Sequence, residues 1–187
     1  MSNQRGFTLL ELIAVLAIAG IVLTMAVPSF SVAMKNNSIA IQTNNLIADI
    51  NLARSEAINR GRSVMICRSA DPGANPPVCG GSVNDWSGGW LIFASGDSNT
   101  QYDTATDTLL RVTDLNPEKG VTVISNATAN TNLEYRADGS VNQGGNTSLF
   151  AICDPRGKDF GKQIQISPTG RPRLVSPVPV SCTSPSV

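Results

Sequence analysis

Two arginines, Arg171 and Arg173, stand two residues apart in the run Gln163-Ile164-Gln165-Ile166-Ser167-Pro168-Thr169-Gly170-Arg171-Pro172-Arg173-Leu174-Val175. On a strand, residues at that spacing point to one side, so two guanidiniums would stand side by side. Guanidinium forks match phosphate oxygens bidentately, and a row of them grips a nucleic-acid backbone without reading bases. Pro168-Thr169-Gly170 is a turn signal between two alternating stretches. Pro172 removes a backbone donor, which suits an edge strand. Arg156, Lys158 and Lys162 are close by in sequence. The plainer reading is a solvated arginine pair, or one neutralised by acidic loops, and four residues by themselves favour it.

The second residue with chemistry is Glu11. It sits in a run from Phe7 to Val27 that is apolar except for Thr8, Glu11, Gly20 and Thr24. These 21 residues suffice, at ~1.5 Å per residue, to cross a ~30 Å hydrocarbon layer. A carboxylate there costs on the order of 2.5–3.5 kcal/mol at a helix centre and less near the end, so it calls for a partner. Six short polar residues precede the run, with one positive charge, Arg5. An ordinary secretory signal fits poorly, because no small-residue cleavage site follows the apolar run. Cleavage after Gly6 would free an amine on Phe7, within reach of the Glu11 carboxylate of a neighbouring copy.

Other chemistry is thin. The chain has no histidine, which removes the usual general base and the commonest metal ligand. No nucleophile elbow or phosphate loop occurs, so no catalytic residues, cofactor or enzymatic activity are expected. Asp97, Asp103 and Asp107 fit no EF-hand spacing and read as a polar acidic loop; no metal is expected. Cys67, Cys79, Cys153 and Cys182 contain no CxxC pair, so zinc is disfavoured. Outside the cytoplasm an even count favours two disulfides. Three pairings are formally open. Neighbourhood favours Cys67–Cys79, closing a Pro- and Gly-rich loop, and Cys153–Cys182, tying down a Pro- and Ser-rich tail. The 14 basic and 14 acidic residues balance, but residues 71–120 are acidic and residues 151–187 basic, so different faces meet different partners.

Periodicity supplies the elements that must position these groups. After Pro28 the pattern turns amphipathic, with Ile39, Leu46, Ile50, Ala53 and Ala57 at helical spacing. One helix is expected from about Thr8 to Asn59, bent near Pro28 and stopped at Gly61. From Arg62 short β-rich runs follow: 63–67, 89–94, 109–113, 121–125, 133–137, 149–153, 163–167 and 171–175, separated by Gly, Pro, Asn and Asp. Residues 69–88 and 95–107 read as loops, and 176–187 as an irregular tail. The expected class is α+β, with antiparallel sheets packed on the helix. The chain divides into 1–6, a leader; 7–28, a transmembrane half-helix; 29–61, an amphipathic half-helix; and 62–187, a disulfide-bonded β domain. Trp90, Leu91 and Phe93 read as core, Trp86 as a loop-packing aromatic, Arg54 and Glu56 as a solvated helix face.

The run Gly6-Phe7-Thr8-Leu9-Leu10-Glu11 resembles the class III signal of type IV prepilins and type II secretion pseudopilins. The segments Ala53-Arg54-Ser55-Glu56-Ala57-Ile58-Asn59-Arg60-Gly61, Val64-Met65-Ile66-Cys67 and Asp85-Trp86-Ser87-Gly88-Gly89-Trp90-Leu91-Ile92-Phe93 are together similar to the GspH/FimT family of minor pilins and pseudopilins. The resemblance implies the type IV pilin-like fold, cleavage between Gly6 and Phe7 by a prepilin peptidase, methylation of Phe7, and a docking role for Glu11. It implies partners among major and minor pilins and the inner-membrane assembly platform. It also implies a single membrane pass with a periplasmic domain that ends in an extracellular pilus or a periplasmic pseudopilus. Gly170-Arg171-Pro172-Arg173 resembles the GRxR motif of FimT-type minor pilins, which bind DNA in natural transformation. That likeness implies Arg171 and Arg173 as double-stranded DNA contacts, widened by Lys162, Lys158 and Arg156. The alternative is a structural tip or priming subunit, or a type II secretion pseudopilin, with no DNA role.

Overall fold

The structure, a computed structural model, describes residues 8–115, 120–129, 131–175 and 181–183. The leader and the Gly6–Phe7 junction lie outside the described residues. Helix α1 spans Leu9–Arg60. Its stretch up to Asn37 forms one unit, and Ser38 begins the other.

In the first unit the helix opens on a reciprocal cap. The Thr8 backbone N–H and hydroxyl donate to Glu11 Oε2 at 3.3 and 3.4 Å, and the Glu11 N–H donates to Thr8 Oγ1 at 3.2 Å. This is the capping box that Thr-x-x-Glu encodes. Beyond it every large apolar side chain described stands exposed, Leu9 by 77% and Phe30 by 68%. Water penalises so long an apolar surface, and by length and composition the helix is long and apolar enough to cross a bilayer. The helix is unbroken through Pro28.

In the second unit the five apolar stripe residues, Ile39, Leu46, Ile50, Ala53 and Ala57, are all buried. The helix stops in a Schellman pattern. Gly61 takes φ of 64°, its N–H donates to Ile58 O, and the Arg62 N–H donates to Ala57 O. Eight strands follow: β1 Val64–Arg68, β2 Gly89–Ala94, β3 Thr108–Asp114, β4 Thr122–Ser125, β5 Asn132–Tyr135, β6 Ser148–Cys153, β7 Lys162–Ile166 and β8 Pro172–Val175. All pair antiparallel, in two sheets ordered β3-β2-β1-β5 and β4-β6-β7-β8. This is the α+β arrangement the sequence predicts. Helix stripe and both sheets share one core that includes Ile66, Trp90, Ile92, Tyr135, Phe150, Ile164 and Ile166. On the far side of the first sheet Met65, Cys67, Leu91 and Phe93 pack under Cys79 and Tyr102 from the two long loops.

Two buried polar clusters and two disulfides hold the domain. Buried Asp49 of α1 accepts from Trp90 Nε1 at 2.8 Å, Arg111 Nη1 at 2.6 Å and Thr113 Oγ1 at 2.6 Å. Trp86 reaches deeper than loop packing. Its indole N–H donates to Ser125 Oγ and Ala129 O, both at 3.1 Å, and its ring meets Phe150 edge-on at 5.1 Å. The Trp86 backbone N–H donates to Val123 O of β4, which draws the loop into the core between the sheets. Disulfides join Cys67 to Cys79 and Cys153 to Cys182. The three loop acids act locally: Asp97 accepts from the Asn99 N–H, Asp103 from that of Ala105, and Asp107 from those of Gly96 and Asp103.

Candidate functional site

The arginine pair belongs to the β7–β8 hairpin. Gln165 faces Arg173 and Ile166 faces Pro172. The turn closes through the Gly170 N–H to Ser167 O at 2.8 Å and the Ser167 N–H to Arg171 O at 3.3 Å. Strand β8 is the edge of its sheet. Since Ser167 and Arg171 are a bonded pair, alternation puts Pro172 where its missing N–H points away from β7. No ladder bond is lost, and the outer edge is blunted against further strands.

Gly170 locks this tip in place. Its φ is 79°, and a Cβ there would fall 2.1 Å from Gly139 O and 2.8 Å from Tyr135 Cε1, so no side chain fits. The Tyr135 hydroxyl donates to Gly170 O at 3.1 Å, and the Val141 N–H donates to Pro168 O at 3.0 Å. The tip of the second sheet is thereby fastened to the end of β5 in the first. Burial raises the Tyr135 phenol pKa, against a smaller opposite pull from the Arg54 charge. Arg54, which helical periodicity places on a solvated face, is instead half-buried, and its Nε donates to Gly139 O at 3.1 Å. Sequence reasoning missed it, because the contact spans 85 residues and leaves no local signal. Glu56 is half-buried as well, and pairs with Arg60 one turn on.

Arg171 and Arg173 are exposed. Arg173 Nη2 donates to Gln165 Oε1 at 3.2 Å. Among the described residues neither forms an ion pair, so the acidic loops do not neutralise them. With Gln165 and Ser167 they line an open hollow of about 290 Å³.

The other three basic residues stand elsewhere. Lys162 starts β7 opposite Ile152, roughly 10 Å along the strand from Gln165 at ~3.4 Å per residue. It shares the parity of core residues Ile164 and Ile166, and so faces away from Arg173. Lys158 is exposed on the 3₁₀ turn Lys158–Phe160 at that same distant end. Arg156 is held by Asp154, Nη2 to Oδ2 at 2.6 Å and Nε to Oδ2 at 2.8 Å, with its guanidinium 4.4 Å from the Phe160 ring centre. The structure thus brings Gly170, Arg171 and Arg173 together, and sets Arg156, Lys158 and Lys162 apart. The signal that could have separated Lys162 was the strand alternation itself.

A family model described as type II transport protein GspH matches residues 42–170, more than half of the chain. The chain belongs to the GspH family. A second model, the prokaryotic N-terminal methylation motif, matches residues 1–27. The GspH-family domain is similar in structure to the type IV minor pilin FimU of Pseudomonas aeruginosa in two crystal forms. One has a TM-score of 0.52 at 26% identity, over 71% of this chain and 88% of that one. The other has a TM-score of 0.57 at 24% identity, over 74% and 89%. A weaker likeness, TM-score 0.48 at 13% identity over 74% of this chain and 96% of that one, is to the minor pseudopilin EpsH of the Vibrio cholerae type 2 secretion system. No curated protein matches the chain. This GspH-family protein is a minor pilin or pseudopilin, and the families and structures it matches are filament subunits rather than enzymes. The GspH match ends at Gly170, one residue before the arginine pair.

Proposed function

We propose that this minor pilin is built into a type IV pilus and binds extracellular double-stranded DNA through Arg171 and Arg173, for uptake in natural transformation. The observation that carries this reading is the pair itself: two exposed guanidiniums without carboxylate partners among the described residues, on an edge strand. Such a site takes phosphates of any sequence, weakly, with binding that weakens as salt rises. The two N-terminal features fit the assembly half of the proposal. Prepilin peptidase would cut between Gly6 and Phe7, and the methylated Phe7 amine would pair with Glu11 of an adjacent subunit. The two disulfides support an oxidising compartment, hence a periplasmic domain on a single inner-membrane span, delivered by the assembly platform into the filament.

The likeness to FimU supports a second reading, a structural tip or priming subunit with an incidental arginine pair. DNA titration of the full chain in detergent separates the two. The first reading expects Arg171→Ala with Arg173→Ala to weaken binding to a short labelled duplex at least tenfold, and to flatten the log–log salt dependence by about 1.8, at ~0.9 per lost phosphate contact. Equal binding by both proteins leaves only the structural reading.

A further inference from the structure

Arg171 also borders a second hollow, one that Arg173 does not line. This one, of about 470 Å³, is lined by Arg54, Asp138, Ser140, Thr169 and Arg171. It is the place where the helix, the turn after β5 and the hairpin tip converge. We infer that this hollow seats a second phosphate of the same bound nucleic-acid strand, with Arg54 as the third guanidinium of the interface; the inference rests on the DNA-binding reading above.

Four features carry it. Arg54 is anchored through Nε on Gly139 O at 3.1 Å, which restrains its fork. Its two terminal amines, in the same plane as Nε, make no hydrogen bond among the described residues. Preorganised forks of this kind lose little freedom on taking an oxyanion. Arg171 lines both hollows, and a guanidinium with five donors can serve two adjacent phosphates at once. The hydroxyls of Ser167 and Thr169 lie 2.8 Å apart, one in each hollow. One donates to the other, so one hydrogen is left for a ligand, the kind of neutral contact that positions a phosphate backbone. Against these stands Asp138. Its Oδ1 accepts from the Ser140 hydroxyl at 2.6 Å and the Ser140 N–H at 2.8 Å, bonds that hold its pKa below the usual carboxylate range. It remains an anion beside two cations, the hollow keeps a net positive charge, and phosphate binding there is limited by like-charge repulsion.

The test uses the full chain in detergent and a short fluorescein-labelled duplex of arbitrary sequence, titrated at several salt concentrations. Arg54→Gln can keep a donor toward Gly139 O and lose the charge. It should weaken binding about three- to tenfold and flatten the salt dependence by about 0.9, one phosphate contact; Arg54→Lys should restore the salt slope. Asp138→Asn keeps the acceptor for Ser140 and removes the negative charge, so it should tighten binding two- to threefold. Asp138→Asn stands as an independent arm if the Arg54 variants do not fold. If Arg54→Gln and Asp138→Asn both match the unaltered protein while the Arg171/Arg173 double variant loses binding, the second hollow is not a phosphate seat and the DNA reading survives. If the double variant also binds normally, both fall together.

Discussion

At the scale of single residues, Glu11 carries two roles that one substitution can separate. As the fourth residue of Thr-x-x-Glu it caps its own helix; as a charge it is proposed to meet a neighbour's amine. Glu11→Gln retains the capping hydrogen bonds and deletes the charge. The proposal expects Glu11→Gln to abolish filament incorporation as fully as Glu11→Ala, scored by blotting sheared filaments. Incorporation at the normal level would assign Glu11 to the cap alone. Tyr135 supplies a pH dependence. Burial raises its phenol above the ordinary value of 10.0. A group whose folded pKa is raised adds stability that is complete below its unfolded pKa and is lost as pH climbs past it. Melting temperature should therefore fall more steeply above about pH 10 in the unaltered protein than in Tyr135→Phe; parallel alkaline declines would contradict the burial argument. Thr8-x-x-Glu11 and the parity of Lys162 were both signals in the sequence that went unread, Lys162 being grouped with the arginines. Arg54 left no such signal, since nothing within a helical turn announces a contact to a turn that far along the chain.

At the scale of elements, helix and sheet are joined by more than apolar contact. Asp49 gathers the Trp90 indole, the Arg111 guanidinium and the Thr113 hydroxyl. Asp49→Ala strands at least one buried donor and opens the seam between α1 and the first sheet. A destabilisation of about 3 kcal/mol is expected, read from chemical denaturation; a change under about 1 kcal/mol would mean the apolar stripe holds the helix unaided. The five stripe residues were readable because their 3.6 period follows from burial on one face, whereas β1, β2 and β6, buried at every position, were readable as short apolar runs bounded by turn residues. The sheet order was not. Alternation says which face of a strand is buried, not which strand lies beside it, so nothing local told that β5 joins β1 while β4 joins β6. The depth of Trp86 was hidden for the same reason, its partners being Ser125, Ala129 and Phe150 on later elements.

At the scale of the molecule, an exposed apolar half-helix and a disulfide-bonded β domain divide the labour of a filament subunit. One unit exposes a long apolar surface; the other carries the arginine hairpin on an edge blunted by Pro172. On the proposed function, assembly and DNA capture depend on different residues and should fail independently. The most direct measurement replaces the chromosomal gene with the Arg171→Ala, Arg173→Ala version and scores pilus number and transformation frequency in the same cells. The account predicts normal piliation with transformation reduced at least tenfold. Normal transformation, or a loss of pili in step with any loss of transformation, would contradict it.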